Sequence, residues 1–320
     1  MSLQKKRIAW IDCAKGILIL LVMYGHTHWS VNSDIEKWVR LTIYSFHMAG
    51  FFILTGLTFN ANKNVVQFFK DKAKRLLLPY VTFSFLYLTY KYLTSVFFGG
   101  PTFNFVSGFS SIIFPVSGST ETSVYGLWFF PCLFITNIFA YLILKLPNLI
   151  LKIGLYFLVL LLCYYSCSLG VVSAYSLSAL SLSFILIGYY IKDKVSSWIS
   201  SLKYNSLFIL LFILCLWLNY YLSNSIFDYS SMNYGSLPLY IVCSLTGSMM
   251  IFSLSNTLVS FAKSNYILVL GRDSMYYYGL HYMILGVVSK VFANFSLLQL
   301  AFTLLILYFV IPVYKKITKQ

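Results

Sequence analysis

Residues 7–26 read RIAWIDCAKGILILLVMYGH, an apolar run long enough to enter a bilayer that nevertheless carries Asp12, Lys15 and His26. An ionisable side chain within such a run is costly and marks a pathway or a reaction centre. At about 100° per helical residue, His26 lies about 20° around the helix from Lys15 and about 40° from Asp12. All three share one face, with the histidine about 16 Å along the axis from the lysine. Three polar groups on one stripe imply a polar path into the membrane.

The rest of the chain agrees with a membrane setting. It is 59% hydrophobic and 10% charged, with a mean hydropathy of +0.80, which excludes an ordinary soluble domain. Ten apolar stretches follow one another, at about 8–29, 40–60, 76–98, 127–145, 153–170, 177–192, 206–223, 237–255, 274–292 and 297–314. The expected fold is therefore an all-α integral membrane protein, a polytopic bundle of about ten transmembrane helices. No stretch is long and polar enough for a separate soluble domain, so residues 1–320 read as a single membrane-embedded domain. The start, QKKR before an apolar run, imitates a signal peptide. Asp12 and Lys15 interrupt the run and no small-residue cleavage site follows, so it is expected to remain as the first spanning helix.

The net charge of +15 would suggest nucleic acid in a soluble chain. Here the charge is sorted by connection. Lys5 to Arg7, the segment 61–75, the connections with Lys145 and Lys152, Lys192 to Lys203, Lys263 and Arg272, and the tail from Lys315 hold 18 of the 23 basic residues. Segments 99–126, 171–176 and 224–236 contain none. The positive-inside rule then places both termini in the cytoplasm, with no nucleic-acid partner and with membrane lipid as a partner. Many tyrosines fall at predicted helix ends, where they suit the headgroup zone; the run Tyr276–Tyr278 beside His281 is the exception. All six cysteines fall in apolar segments and read as small hydrophobes, and no metal site is expected.

Proton chemistry near neutral pH points to the four histidines, His26, His28, His47 and His281. His26 and His47 lie in apolar helices and are the catalytic candidates. His28 and His281 read equally well as packed rings donating to backbone carbonyls. An orienting carboxylate must come from elsewhere than Asp12, with Glu121, Asp34, Glu36 and Asp228 as the supply. The segment 63–75, KNVVQFFKDKAKR, gathers Lys63, Lys70, Lys72, Lys74 and Arg75. Anionic headgroups and a multiply phosphorylated co-substrate fit it equally well. The long outer loop 99–126, with Glu121 its only charge, reads as a lid or binding segment.

These motifs together resemble the acyltransferase-3 family of integral membrane acyltransferases, nearest its fucose 4-O-acetylase-like and surface-polysaccharide O-acetyltransferase members. In that pattern ten residues separate a basic residue from the first-helix histidine that follows it, as they separate Lys15 from His26. The resemblance continues through SFHMAGFFILTGLTF (45–59), KAKRLLLPY (72–80), LWFF (127–130) and GRDSMYYYGLH (271–281), in order. Lys15 stands where the family often has Arg, and Lys72 with Arg75 where it often has two arginines; lysine supplies charge without a bidentate fork. Thr55 replaces the commoner Ser before Gly56. No carboxy-terminal esterase-like domain follows, so the membrane module would act alone.

The resemblance implies transfer of an acetyl or other short acyl group from acyl-CoA, with acetyl-CoA as donor. The acceptor would be a hydroxyl of a surface-polysaccharide sugar or its lipid-linked precursor, at a bacterial cytoplasmic membrane. His26 would be general base or transient acyl carrier, and His47 the second catalytic or positioning residue. Lys15, Lys72 and Arg75 would hold coenzyme A phosphates, followed by Lys74 and Arg272. Asp12 would fix Lys15 or the helix entrance, with Glu121 and His281 in support. A transporter or flippase for a polyprenyl-linked sugar explains the helices and charges as well but not the motif order. A non-catalytic assembly subunit would leave the histidines dispensable.

Overall fold

A computed structural model describes residues 8–27, 34–99, 102–114, 126–168, 173–223, 227–261 and 265–318. In chain order the helices are α1 (Ala9–Gly25), α2 (Asp34–Tyr44), α3 (His47–Leu57), α4 (Val65–Lys72), α5 (Leu78–Phe98), α6 (Phe105–Ile113), α7 (Phe129–Lys145), α8 (Leu149–Ser168), α9 (Ala174–Ile191), α10 (Val195–Ile199), α11 (Leu202–Ser223), α12 (Leu237–Phe261), α13 (Asn265–Arg272), α14 (Ser274–Val291) and α15 (Ser296–Thr318). Among the described residues no strand forms. The protein is an all-α membrane protein.

Five helices, α8, α9, α11, α12 and α15, are long and apolar enough to cross a membrane, and α7 is apolar but only 17 residues long. The other expected spans depart from that standard for visible reasons. α1 also has 17 residues and contains Asp12 and Lys15. In α5, Thr82, Ser84, Thr89, Lys91 and Thr94 dilute the apolar run, and in α14 Tyr276–Tyr278, His281 and Lys290 do the same. α8 shows what a lipid-facing helix looks like here: Ile150 is 81% and Leu161 66% exposed.

The stretch 40–60, expected as one helix, is two. The break falls at Ser45 and Phe46, between α2 and α3. Ser45 Oγ donates to the Thr42 carbonyl at 2.7 Å, and Phe46 N–H bonds Ile43 rather than the residue four back; such side-chain competition ends helices. A broken helix at membrane depth needs partners for its freed carbonyls. Two hydroxyls one turn apart on α12 supply them. Tyr240 donates to the Tyr44 carbonyl at 3.3 Å and Ser244 to the Ser45 carbonyl at 2.6 Å.

The chain forms two compact units. The first comprises Met1–Phe51, Asp193–Phe227 and Tyr234–Gln320. Its core is built on α1, where Ala14, Leu18 and Ile19 are fully buried. α1 approaches α13 so closely that a Cβ on Gly16 would lie 2.2 Å from the Ile267 carbonyl oxygen, and one on Gly271 1.6 Å from that of Asp12.

The second unit comprises Phe52–Lys192 and Asp228–Asn233. Here α3 and α9 cross at Gly56 and Gly188, where a Cβ would meet Ile185 and Ile53 carbonyl oxygens at 2.1 and 2.3 Å. Buried hydroxyls along α7 and α9 return to their own helices, Thr136 to Cys132 and Ser178 to Ala174. Ser181 also meets the Tyr229 hydroxyl at 2.8 Å. Trp128 stacks on the Tyr229 ring at 5.8 Å. Between α4 and α5, residues Ala73–Leu77 form a π-helical turn. Pro79 follows it and lacks the N–H that an uninterrupted α-helix needs there, so the turn widens and Leu78 N–H bonds Ala73 instead.

Candidate active site

The first unit brings three of the four histidines together. His26 caps α1, His47 opens α3 and His281 lies within α14. His281 is completely buried and His47 nearly so. His26 Nδ1 is 3.2 Å from His281 Nε2, and the two rings stack at 5.2 Å between centroids. His26 also lies 4.6 Å from the ring of Tyr282 and 6.4 Å from that of Tyr44. The Tyr44 ring in turn is 5.1 Å from His47.

Backbone carbonyls settle which nitrogens carry protons. His281 Nδ1 is 2.8 Å from the Tyr278 carbonyl oxygen. A carbonyl only accepts, so Nδ1 holds the hydrogen and, in a neutral ring, Nε2 holds a lone pair. His26 Nδ1 must therefore donate to His281 Nε2, which leaves the His26 lone pair on Nε2. His47 repeats the pattern: its Nδ1 donates to the Ile43 carbonyl at 2.7 Å, leaving its lone pair on Nε2. Both catalytic candidates thus present the same basic nitrogen. Tyr44 ties the group to α1, its hydroxyl donating to the Gly25 carbonyl at 3.1 Å.

At the other end of α1, Asp12 is buried and faces Arg272, its Oδ2 3.7 Å from Nε. The glycine beside Arg272 makes this contact possible, because Gly271 lets α13 touch the α1 backbone at Asp12. Lys15 is half-buried one turn further along α1. Nearby, Lys315 pairs with Asp273 and lies 4.9 Å from the Tyr276 ring.

The basic segment belongs to the second unit. Asn64 caps α4 through its side chain, accepting from Val66 N–H. Lys63 pairs with Asp71, and Gln67 donates to the same carboxylate at 2.7 Å. The Lys63 ammonium is the main cause that holds the Asp71 carboxyl below its usual range. Lys72 lies 5.6 Å from the Phe59 ring and 5.4 Å from that of Phe68. Lys74 and Arg75 sit exposed in the π-helical turn. Glu121 and His28 lie outside the described residues. Among the described residues no cluster of His, Cys, Asp and Glu is arranged to hold a metal.

Sequence reasoning underrated three residues. His281 read equally well as packing because its partner is 255 positions away. Tyr44 and Arg40 carried no motif, although their i, i+4 spacing places them on one face of α2. The Arg40 guanidinium is 5.2 Å from the centre of the Tyr44 ring.

One comparison with known proteins is informative. The family model described as an acyltransferase domain matches residues 8–314, so the chain belongs to the acyltransferase-3 family. No curated protein and no solved structure matches the chain.

Proposed function

We propose that this acyltransferase moves an acetyl or other short acyl group from acyl-CoA to a hydroxyl of a surface-polysaccharide sugar or its lipid-linked precursor. The observation that carries the reading is the oriented pair His26–His281, whose hydrogen bonds leave a lone pair on His26 Nε2. A sugar hydroxyl is too weak an acid to attack a thioester unaided, so a base must take its proton as attack proceeds. The acceptor oxygen attacks the thioester carbonyl carbon while its proton passes to His26 Nε2. The carbon–sulfur bond then breaks, and the departing thiolate takes that proton back. As His26 gains charge, its Nδ1–H bond to His281 becomes charge-assisted and strengthens. His281 is in this scheme a positioning residue, and His47 a second polar ring held against the same tyrosine.

Lys15, Lys72 and Arg75 would hold the coenzyme A phosphates, with Lys74 and Arg272 in reserve. Lys72 and Arg75 suit the role in chemistry, one a point charge and the other a fork. Charge asymmetry supports ten spans with both termini cytoplasmic, in a bacterial plasma membrane. Under that topology Lys15 lies near the inner face and His26 toward the outer one. The thioester arm would then run along α1 from basic end to histidine, past the stripe that begins at Asp12. One family model spans both units, which supports a single functional domain.

The test is transfer of radiolabelled acetyl from acetyl-CoA in membranes carrying the wild type or His26→Ala. Label is expected in glycan or glycolipid with the wild type alone. Transfer by His26→Ala at the wild-type rate would remove His26 from the mechanism. No transfer by either, with the cell's own polysaccharide present, would favour a transporter or a different donor.

A further inference from the structure

Lys37 and Arg40 depart from the charge pattern of the chain, as Lys91 and Lys290 do. Segments 99–126, 171–176 and 224–236 hold no Lys or Arg, yet α2, which begins the next span on the same side, carries Lys37 and Arg40. The two are three residues apart, hence neighbours on one helical face. Both are exposed. Arg40 lies over Tyr44, whose ring also neighbours those of His26 and His47. Among the described residues Arg40 makes no salt bridge, although Glu36 stands one turn earlier on the same helix. Lys37 lies 5.2 Å from the ring of Tyr220, and Trp38 packs on that ring at 4.7 Å. Ile35 and Trp38 on α2 are exposed, as are Trp217 and Tyr221 on α11, the helix that carries Tyr220.

We propose that α2 presents an anion-recognition site, Arg40 assisted by Lys37, which holds a phosphate or diphosphate group of the acceptor beside the histidine pair. This rests on the acyl-transfer reading for its place in the reaction, while the binding itself does not. A guanidinium suits phosphate because its planar donors engage two oxygens at once. One aromatic ring separates it from His26, so the anion it holds belongs to the sugar unit that reacts or to the one next to it. The interfacial residues around α2 favour an acceptor arriving in the plane of the membrane, which is how a lipid-linked sugar phosphate travels. Arg40 thereby becomes a specificity residue. It selects anionic, lipid-borne acceptors over neutral glycosides.

The experiment measures binding of radiolabelled decyl diphosphate to the purified protein in neutral detergent micelles. Arg40→Gln should weaken binding about tenfold or more, the loss of one charge-assisted contact. Arg40→Lys should fall between the two, and Lys203→Gln should change nothing. Lys37→Gln, which leaves the Tyr44 contact intact, should weaken binding by a smaller factor. Two competitors identify the source of the anion. Displacement by inorganic diphosphate at similar concentration would assign the site to the anion itself, bound from a soluble or a lipid source. Displacement by phosphatidylglycerol as readily as by decyl diphosphate would make it an ordinary headgroup contact and overturn the proposal. Equal binding by wild type and Arg40→Gln would also overturn it. Binding that depends on Arg40 without any acyl transfer would leave this site standing and remove the acyltransfer reading instead.

Discussion

Replacing His281 with Phe is the sharpest probe of the site. The ring keeps its volume and its stacking against His26, at 5.2 Å between centroids, but loses both nitrogens. Two hydrogen bonds disappear, the 3.2 Å contact with His26 Nδ1 and the 2.8 Å contact with the Tyr278 carbonyl. The second lies within one helix and is worth about 1 kcal/mol of stability. The first matters more in the transition state, where His26 is becoming an imidazolium, and hydrogen bonds to charged groups are worth about 1.5–3 kcal/mol. At about 1.4 kcal/mol per factor of ten, kcat should fall about 10- to 150-fold. KM for acetyl-CoA should stay put, because nothing in the pair touches the phosphates in this scheme. His281→Gln offers an amide N–H and an amide oxygen in the same place and should recover part of the loss. Initial rates of acetyl transfer by purified variants, with melting temperatures measured alongside, make the comparison. A correctly folded Phe variant with kcat within a factor of two of wild type would refute the reasoning, since the tautomer of His26 would then not depend on His281.

Three further outcomes follow from the geometry. Gly271→Ala places a Cβ 1.6 Å from the Asp12 carbonyl oxygen, so α13 must move off α1; a loss of about 1–3 kcal/mol or more is expected in thermal melts, whereas Gly154→Ala, with no atom within 4 Å, should be neutral or slightly stabilising. Ser244→Ala strands the buried Ser45 carbonyl at the α2–α3 break and should cost about 1–3 kcal/mol, with faster hydrogen exchange confined to residues near the break. Asp71 should titrate below an ordinary aspartate, its pairing with Lys63 present above the usual carboxylate range and lost as pH falls through the lowered value; in an NMR titration Lys63→Ala should move it back up toward the ordinary range, with Gln67 and Arg75 still holding part of the shift, and an unchanged midpoint would disprove the pairing.

Much of the fold could be read in the chain because membrane insertion leaves a long-range signature. Apolar length is a property of whole segments, robust to errors of a few residues, and it gives the all-helical membrane class. The placement of Asp12 and Lys15 on one helix that His26 caps was legible too. The break at Ser45 was hidden. Hydropathy sees residues 40–60 as one apolar stretch, and what ends α2 is a serine hydroxyl turned onto its own backbone. Nor can a sequence show that hydroxyls nearly 200 positions away, on Tyr240 and Ser244, support the freed carbonyls.

The same reasoning explains why His281 could be read two ways. Its Nδ1 does donate to a backbone carbonyl, as a packed histidine would. In the proposed mechanism the bond is also what gives the residue its role. With Nδ1 committed to a carbonyl, Nε2 can only accept, and the ring it accepts from is fixed in one tautomer. His47 illustrates the converse, an identical bond to Ile43 at the start of a helix that exists only because α2 stops at Tyr44. A structural hydrogen bond and a chemical role are therefore not competing explanations for a buried histidine. In the proposed mechanism the first is the means by which the second is set, and the helix break brings His47 and Tyr44 to the same place.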